Sequence, residues 1–315
     1  MRNEKIEETV SRKQETEPEE EKFEKYRKAG NAVKAVRETA RKIVQPGASI
    51  LDICERIENE LLSKEVGLSF PCNISVNNIA AHYTSPLDDK SLINENDVVK
   101  VDFGTHVDGY IADTAFTVCF KAEYEKLIEA SEKALEVAID MIRPGVETNL
   151  IGEKIEETIK GYGFRPIKDL SGHLLDQYIL HGSKIIPNIS IPHGTKIEKG
   201  EVYALETFAT TGSGSVTEAP YAYIYSLLPL RVPLRFKGSR QVLGLVQKEF
   251  KTLPFAERWL AKKVSKAGFK LAIKELTEKG LFHAYNVLSD KKGSLVSQAE
   301  HTLIVIDGGC EVITK

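Results

Sequence analysis

Four carboxylates in this chain lie where carboxylates are costly. Asp102 and Asp113 are set in VVKVDFGTHVDGYIADTAFTVC, residues 98–119, one in each of two β-branched runs flanking an Asp-Gly pair. Glu206 sits in VYALETFAT, and Glu300 in QAEHTLIV at the head of another apolar run. An ionised carboxylate in apolar surroundings is stable only when it is paired or bound to a metal, and several converging on one place repel unless cations neutralise them. Arginine could do so, but none lies in these runs. Divalent metals fit better, two of them about 3.5–4 Å apart activating a water and polarising a carbonyl. Carboxylate-rich ligation with one imidazole suits Mn, Fe, Co or Zn. The imidazole candidate is His173 in Leu170-Ser171-Gly172-His173, beside a glycine that permits close backbone approach.

Asp108-Gly109 between β-branched runs is a strong two-residue hairpin signal. With that loop Val107 faces Tyr110, Asp102 faces Ala115 and Asp113 faces Gly104. The period of two then puts both aspartates on one face, diagonal to each other, at roughly 7–8 Å between backbones. Two unrelated strand aspartates would read the same way, so the hairpin alone does not decide for a metal. His82, in IAAHY, and His181, in LHG, are polar residues in apolar loops, suited to a substrate carbonyl or amide. A hydrogen-bonded structural role is the plainer reading of any single histidine, and it is kept for His106, His193, His283 and His301. His301 directly follows Glu300 and is expected on the opposite strand face.

The elements that position these residues recur. Residues 26–44 have helical amphipathic spacing stopped by Pro46-Gly47, and a second helix is expected over 50–64 with Ser49 as N-cap. The pattern around Pro46-Gly47 returns 98 residues later at Pro144-Gly145. Each helix pair leads through a glycine-containing loop to a strand, with Asp102 and Glu206 in equivalent places. Helix, stop, helix, loop, strand and carboxylate in one order indicate an internal duplication, whose halves would pack about a pseudo-two-fold axis with their acids converging. Residues 232–285 differ, reading as a helical insertion with thirteen Lys/Arg against four Asp/Glu from 231 to 280. Residues 1–22 are almost devoid of apolar side chains and read as a flexible charged tail.

Composition narrows the class. At 42% hydrophobic and 28% charged, the 315 residues can build a substantial core. No apolar run approaches the ~18–20 residues that span a bilayer, and the start is too charged for a signal peptide. The net charge of −3 gives no overall argument for DNA or other nucleic acid. Four scattered cysteines without a CxxC pair argue against a thiolate zinc site or a disulfide framework, so a reducing cytoplasm is expected.

With IAAHYTSP, VKVDFGTHVDGYIADTA, LSGH followed by LHG, ALETFATTGSG, LPFAERWL and QAEHTLIV in that order, the chain resembles type II methionine aminopeptidases over nearly everything after the charged tail. The resemblance implies the α/β "pita-bread" fold of the M24 metallopeptidases, with residues 23–315 as its catalytic domain and the insertion as the subdomain that separates type II from type I enzymes. It implies two divalent metal ions held by Asp102, Asp113, His173, Glu206 and Glu300, with Asp113 bridging and Asp102 chelating one ion. His82 and His181 become substrate-contacting catalytic residues, Glu206 doubles as proton shuttle, and Phe70 and Tyr285 line a methionine pocket. The implied activity is removal of initiator methionine from nascent chains by attack of a metal-activated hydroxide on the methionyl carbonyl. A monomer is expected; the charge of the basic insertion makes it a candidate for docking near ribosomal RNA, against the plainer reading of a Lys-rich helical face as simply solvated. The tail lacks the polybasic and polyacidic blocks of eukaryotic members and resembles archaeal ones. Two rivals stand beside this: an aminopeptidase P or prolidase-like enzyme on the same fold, and a non-catalytic relative that binds ribosomes or RNA.

Overall fold

The computed structural model describes residues 18–315 apart from 262 and 265. Most of the expected tail, residues 1–17, therefore lies outside the described residues. The first half comprises α1 (Glu19–Ile43), α2 (Ile50–Leu62), β1 (Gly67–Val76), β2 (Ile79–Ala81), β3 (Val98–Val107) and β4 (Tyr110–Cys119). The second comprises α3 (Glu125–Met141), α4 (Thr148–Gly161), β5 (Arg165–Pro166), β6 (Ser171–Leu175), β7 (Ile185–Pro187), β8 (Val202–Thr210) and β9 (Thr217–Leu227). There follow α5 (Lys237–Glu249), β10 (Phe255–Ala256), α6 (Glu257–Ala261), α7 (Lys266–Glu278), β11 (Phe282–Ser289), β12 (Val296–Ile306) and β13 (Gly309–Val312).

Helix α1 begins at Glu19, inside the segment read as tail and seven residues before the expected start. Glu19, Glu20 and Glu21 lie at the positive end of the helix dipole, and Phe23 anchors the first turns in the core. Helix α2 ends at Leu62 rather than Lys64, and its cap is the expected one, Ser49 Oγ accepting from the Asp52 amide at 3.3 Å.

The duplication is repeated hydrogen bond by hydrogen bond. Gly47 donates to the Ile93 carbonyl and Gly145 to the Ile197 carbonyl, both at 2.8 Å. Ile93 in turn donates to Ala48, and Ile197 to Val146, both at 2.9 Å. Gly47 and Gly145 have φ of +86° and +90°, a conformation that favours glycine after each helix stop. In the main sheet, ordered β1-β3-β4-β12-β8-β6-β7, each half supplies its strands on one side of the β4/β12 seam. Val99, Val101 and Phe103 of β3 pack against α1 and α2, while Tyr203 and Leu205 of β8 pack against α3 and α4. Both helix pairs thus cover the face opposite Asp102 and Glu206.

At the seam only two residue pairs keep ladder register, Glu300 with Ala115 and His301 with Thr114. On either side threonine hydroxyls replace the ladder. Thr302 Oγ1 accepts from the Asp113 amide at 2.7 Å and donates to the Asp113 carbonyl at 2.8 Å. Thr117 Oγ1 does the same to Gln298, accepting at 2.8 Å and donating at 2.7 Å.

A smaller sheet, β10-β9-β11-β2, roofs the site. The helical part of the insertion ends at Glu278, and the boundary expected at Tyr285 falls inside β11, where the chain has resumed strand alternation after Gly280. The insertion is pinned to the first half through buried Arg258, which pairs with Glu58 of α2 and donates to Thr84 Oγ1 at 2.6 Å. The indole of Trp259 donates to the same Glu58 at 2.9 Å.

Replacing Thr302 by valine strands the amide and carbonyl of Asp113, and an unsatisfied buried polar group costs ~1–3 kcal/mol. Thr302→Val should therefore lower unfolding free energy by about 2–4 kcal/mol in chemical denaturation, and Thr302→Ser should recover most of it.

Candidate active site

The predicted hairpin register is present: Val107 pairs with Tyr110, Asp102 with Ala115 and Gly104 with Asp113. Asp108 and Gly109 have φ of 52° and 91°, the two left-handed residues of a tight strand-matched turn. Extended across the sheet, the register builds two rows on one face. One runs Asn73, Asp102, Ala115, Glu300, Glu206. The next runs Gly104, Asp113, then Thr302 across the hydroxyl bridge, Ala204 and His173. Five residues 198 positions apart at the extremes thus meet because they occupy neighbouring rows of one pleated surface. Ligand atoms of Asp113, His173 and Glu300 lie within 4.8 Å of one another.

These side chains floor a cleft of about 520 Å³, counting the space open to solvent, which Phe70, His82, His181 and Tyr285 also line. Every site residue expected from the sequence is brought to it. Asp113 and Glu300 are buried, while Asp102 and Glu206 are partly open to the cleft. Oδ1 of Asp102, Oδ1 of Asp113 and Nδ1 of His173 have no hydrogen-bond partner, and unpaired buried acceptors of this kind fit a cation. Burial raises Asp102 to about 7. Burial, followed by the neighbouring carboxylates, raises Asp113, Glu206 and Glu300. His173 is pushed down to about 4 by burial, so its imidazole is neutral at pH 7 and free to donate a lone pair.

The ring of His181 lies 4.5 Å from that of His173, and Tyr285 lies 5.9 Å from His181 and 5.4 Å from His82. Burial lowers both His82 and His181, keeping them neutral hydrogen-bonding groups. His82 has φ of 66°, unusual for a non-glycine residue, and its Nδ1 is 3.1 Å from the Asn286 carbonyl. Strain of this sort persists where surrounding structure holds it, here the edge of β2 against β11.

Two polar residues at the site were not singled out from the sequence. Gln298 Nε2 donates to Glu206 Oε2 at 3.2 Å, and its position two residues before Glu300 was the available signal. Asn73 lines the cleft with an unpaired Oδ1; a register irregularity between Phe70 and Asn73 obscures its facing in the sequence. His301 faces away as expected, its Nδ1 3.0 Å from Thr314 Oγ1.

Residues 24–226 match the family model described as metallopeptidase family M24. The chain belongs to metallopeptidase family M24. Among its M24 relatives is a methionine aminopeptidase of Methanothermobacter thermautotrophicus, 43% identical and covering 93% of this chain and 99% of its own. One of Archaeoglobus fulgidus is 45% identical, covering 93% and 98%. Among solved structures, a thermophilic Arx1 aligns with a TM-score of 0.83 at 23% identity, covering 93% of this chain and 90% of that one. The Thermotoga maritima methionine aminopeptidase aligns at 0.68 and 23% identity, covering 94% and 97%, which establishes the pita-bread fold. Membership in a metallopeptidase family carries divalent-metal use with it, and the M24 site's buried Asp/His/Glu cluster has the oxygen-rich chemistry for it. No helix among the described residues is long and apolar enough to cross a membrane.

A carboxyl raised by burial, as Asp102 is to about 7, holds a proton that an incoming cation must displace. Affinity for a divalent ion should therefore rise with pH, steeply below the value of about 7 for Asp102. Calorimetry in buffers of different ionisation enthalpy should register net proton release near pH 7.

Proposed function

We propose that this chain is a methionyl aminopeptidase that removes initiator methionine from nascent polypeptides in the cytoplasm, acting as a monomer with two divalent ions (Co, Mn, Fe or Zn). The observation that carries this reading is near-full-length identity of 41–45% to several archaeal methionine aminopeptidases, combined with retention of the complete acid and imidazole set in one cleft. Asp102, Asp113, His173, Glu206 and Glu300 would hold the ions, which when bound supply an acidified water and positive charge for the developing oxyanion.

The residues then divide the work. Glu206, partly open to the cleft, accepts the proton of the attacking water and returns it to the departing amine. Neutral His181 donates to the methionyl carbonyl oxygen and to the tetrahedral oxyanion that follows. His82, its ring fixed at Nδ1, meets the scissile amide with its other nitrogen. Phe70 and Tyr285 present aromatic surface to the thioether. The catalytic domain takes in α1 from Glu19 onward, with the helical insertion running from residue 232 to Glu278 within it.

An X-Pro peptidase is the less favoured alternative, and a ribosome- or RNA-binding relative lacks support from a site that keeps its full ligand set. Docking to the ribosome through the basic insertion rests on charge alone. Salt-sensitive co-sedimentation that is lost on charge reversal of Lys263 and Lys266 would support it, and unchanged binding would remove it; Lys262, of the same cluster, lies outside the described residues.

Metal-dependent release of methionine from Met-Ala-Ser, with no cleavage of Ala-Pro-Ser, is the expected result of a peptide panel. His173→Ala should abolish both turnover and tight divalent-ion binding, and full activity in that variant would sink the assignment. His181→Ala should lower kcat by roughly 100–1,000-fold with ion binding kept.

A further inference from the structure

The pseudo-two-fold axis of the sheet should generate two cation cages, and among the described residues only the group of Asp113, His173 and Glu300 is arranged to hold one. Between β3 and β8 equivalent residues are 104 positions apart, relating Lys100 to Ala204, Asp102 to Glu206 and Gly104 to Phe208. Across the seam the paired hydroxyl bridges relate Thr117 to Thr302 and Asp113 to Gln298. Ser75, paired with Lys100, is the counterpart of His173, paired with Ala204.

The Asp102–Glu206 pair carries a carboxylate on both sides, but the other ligand-bearing or space-giving positions are reversed. Asp113 becomes a neutral carboxamide. The imidazole of His173 becomes the short hydroxyl of Ser75, buried without a partner. Gly104, which has no side chain, becomes the fully buried ring of Phe208. Ala204, small enough to leave room beside His173, becomes Lys100, whose buried ammonium donates to the carbonyls of Asn77 at 3.0 Å and Val296 at 2.9 Å.

We propose that Gln298 is a positioning residue for Glu206 and that, with Lys100 and Phe208, it closes the mirror cage, so that cations load only on the Asp113–His173 side. An acid at position 298 would repel Glu206, whereas the carboxamide donates to it at 3.2 Å. One neutral side chain therefore holds Glu206, and Lys100, tied to two backbone carbonyls, fills beside Ser75 the space that Ala204 leaves open beside His173. This rests on the metal-site reading above.

The test uses the full chain freed of metal, titrated with Co2+ by calorimetry, together with kcat and KM for Met-Ala-Ser and a thermal melt for folding. Gln298→Leu should reduce kcat and Co2+ affinity by roughly 10–100-fold each with KM within about twofold. Kinetics and affinity both within twofold of wild type would overturn the positioning role. The triple variant Gln298→Asp, Lys100→Ala, Phe208→Gly, which places at each closing position the residue found on the open side, should take up one Co2+ more than wild type, and an unchanged stoichiometry in a folded protein would overturn the closed cage. Should that variant fail to fold, Gln298→Glu alone is titrated: with Lys100 and Phe208 in place no extra ion is expected, and an extra ion would overturn the roles given to them. A wild-type protein that binds Co2+ but releases no methionine fails the functional reading and leaves the ion counts to decide the cage. One that binds no divalent ion removes the basis of both.

Discussion

The structure depends on one electrostatic constraint: four carboxylates share one face of a sheet, with no arginine or lysine paired to any of them among the described residues. Burial raises all four, and the neighbouring carboxylates add to it for Asp113, Glu206 and Glu300. The remaining architecture can be understood as what it takes to keep those acids in place. Helices cover the opposite face with two apolar cores, the small second sheet roofs the cleft, and the insertion is held down by the buried Arg258–Glu58 pair. A buried ion pair adds little net stability against an apolar alternative; its geometry instead fixes where the insertion sits relative to α2 and the loop bearing Thr84.

Much of this was legible in the sequence, for reasons that are local. An Asp-Gly turn between β-branched runs fixes register, and register with a period of two fixes facing, so the placement of Asp102 against Asp113 required no tertiary information. The repeated Pro-Gly helix stops announced the duplication because a left-handed glycine is needed at the same point in each half. What was obscured depended on distant contacts. The early start of α1 relies on Phe23 reaching the core, and the strand character of 282–289 relies on pairing with β9 and β2. Asn73 follows a register irregularity that a strictly alternating pattern does not reveal, and the left-handed backbone of His82 has no signature in IAAHY.

Gln298 is the instructive omission. It shares a face with Glu300 by the same period of two that located the aspartates, yet a neutral residue in a strand draws no attention when the search is for charge. Its role becomes visible only beside Asp113, its counterpart across the seam.

The threonine bridges at that seam have a consequence of their own. Thr117 and Thr302 make the same contact from opposite sides, which is the geometry of an isologous interface between identical subunits. In a true homodimer every substitution at such an interface occurs twice, so a ligand and its replacement cannot occupy equivalent positions. Carrying both halves in one chain lifts that restriction: the joint stays symmetric where it bears load, and the chemistry beside it is free to become one-sided.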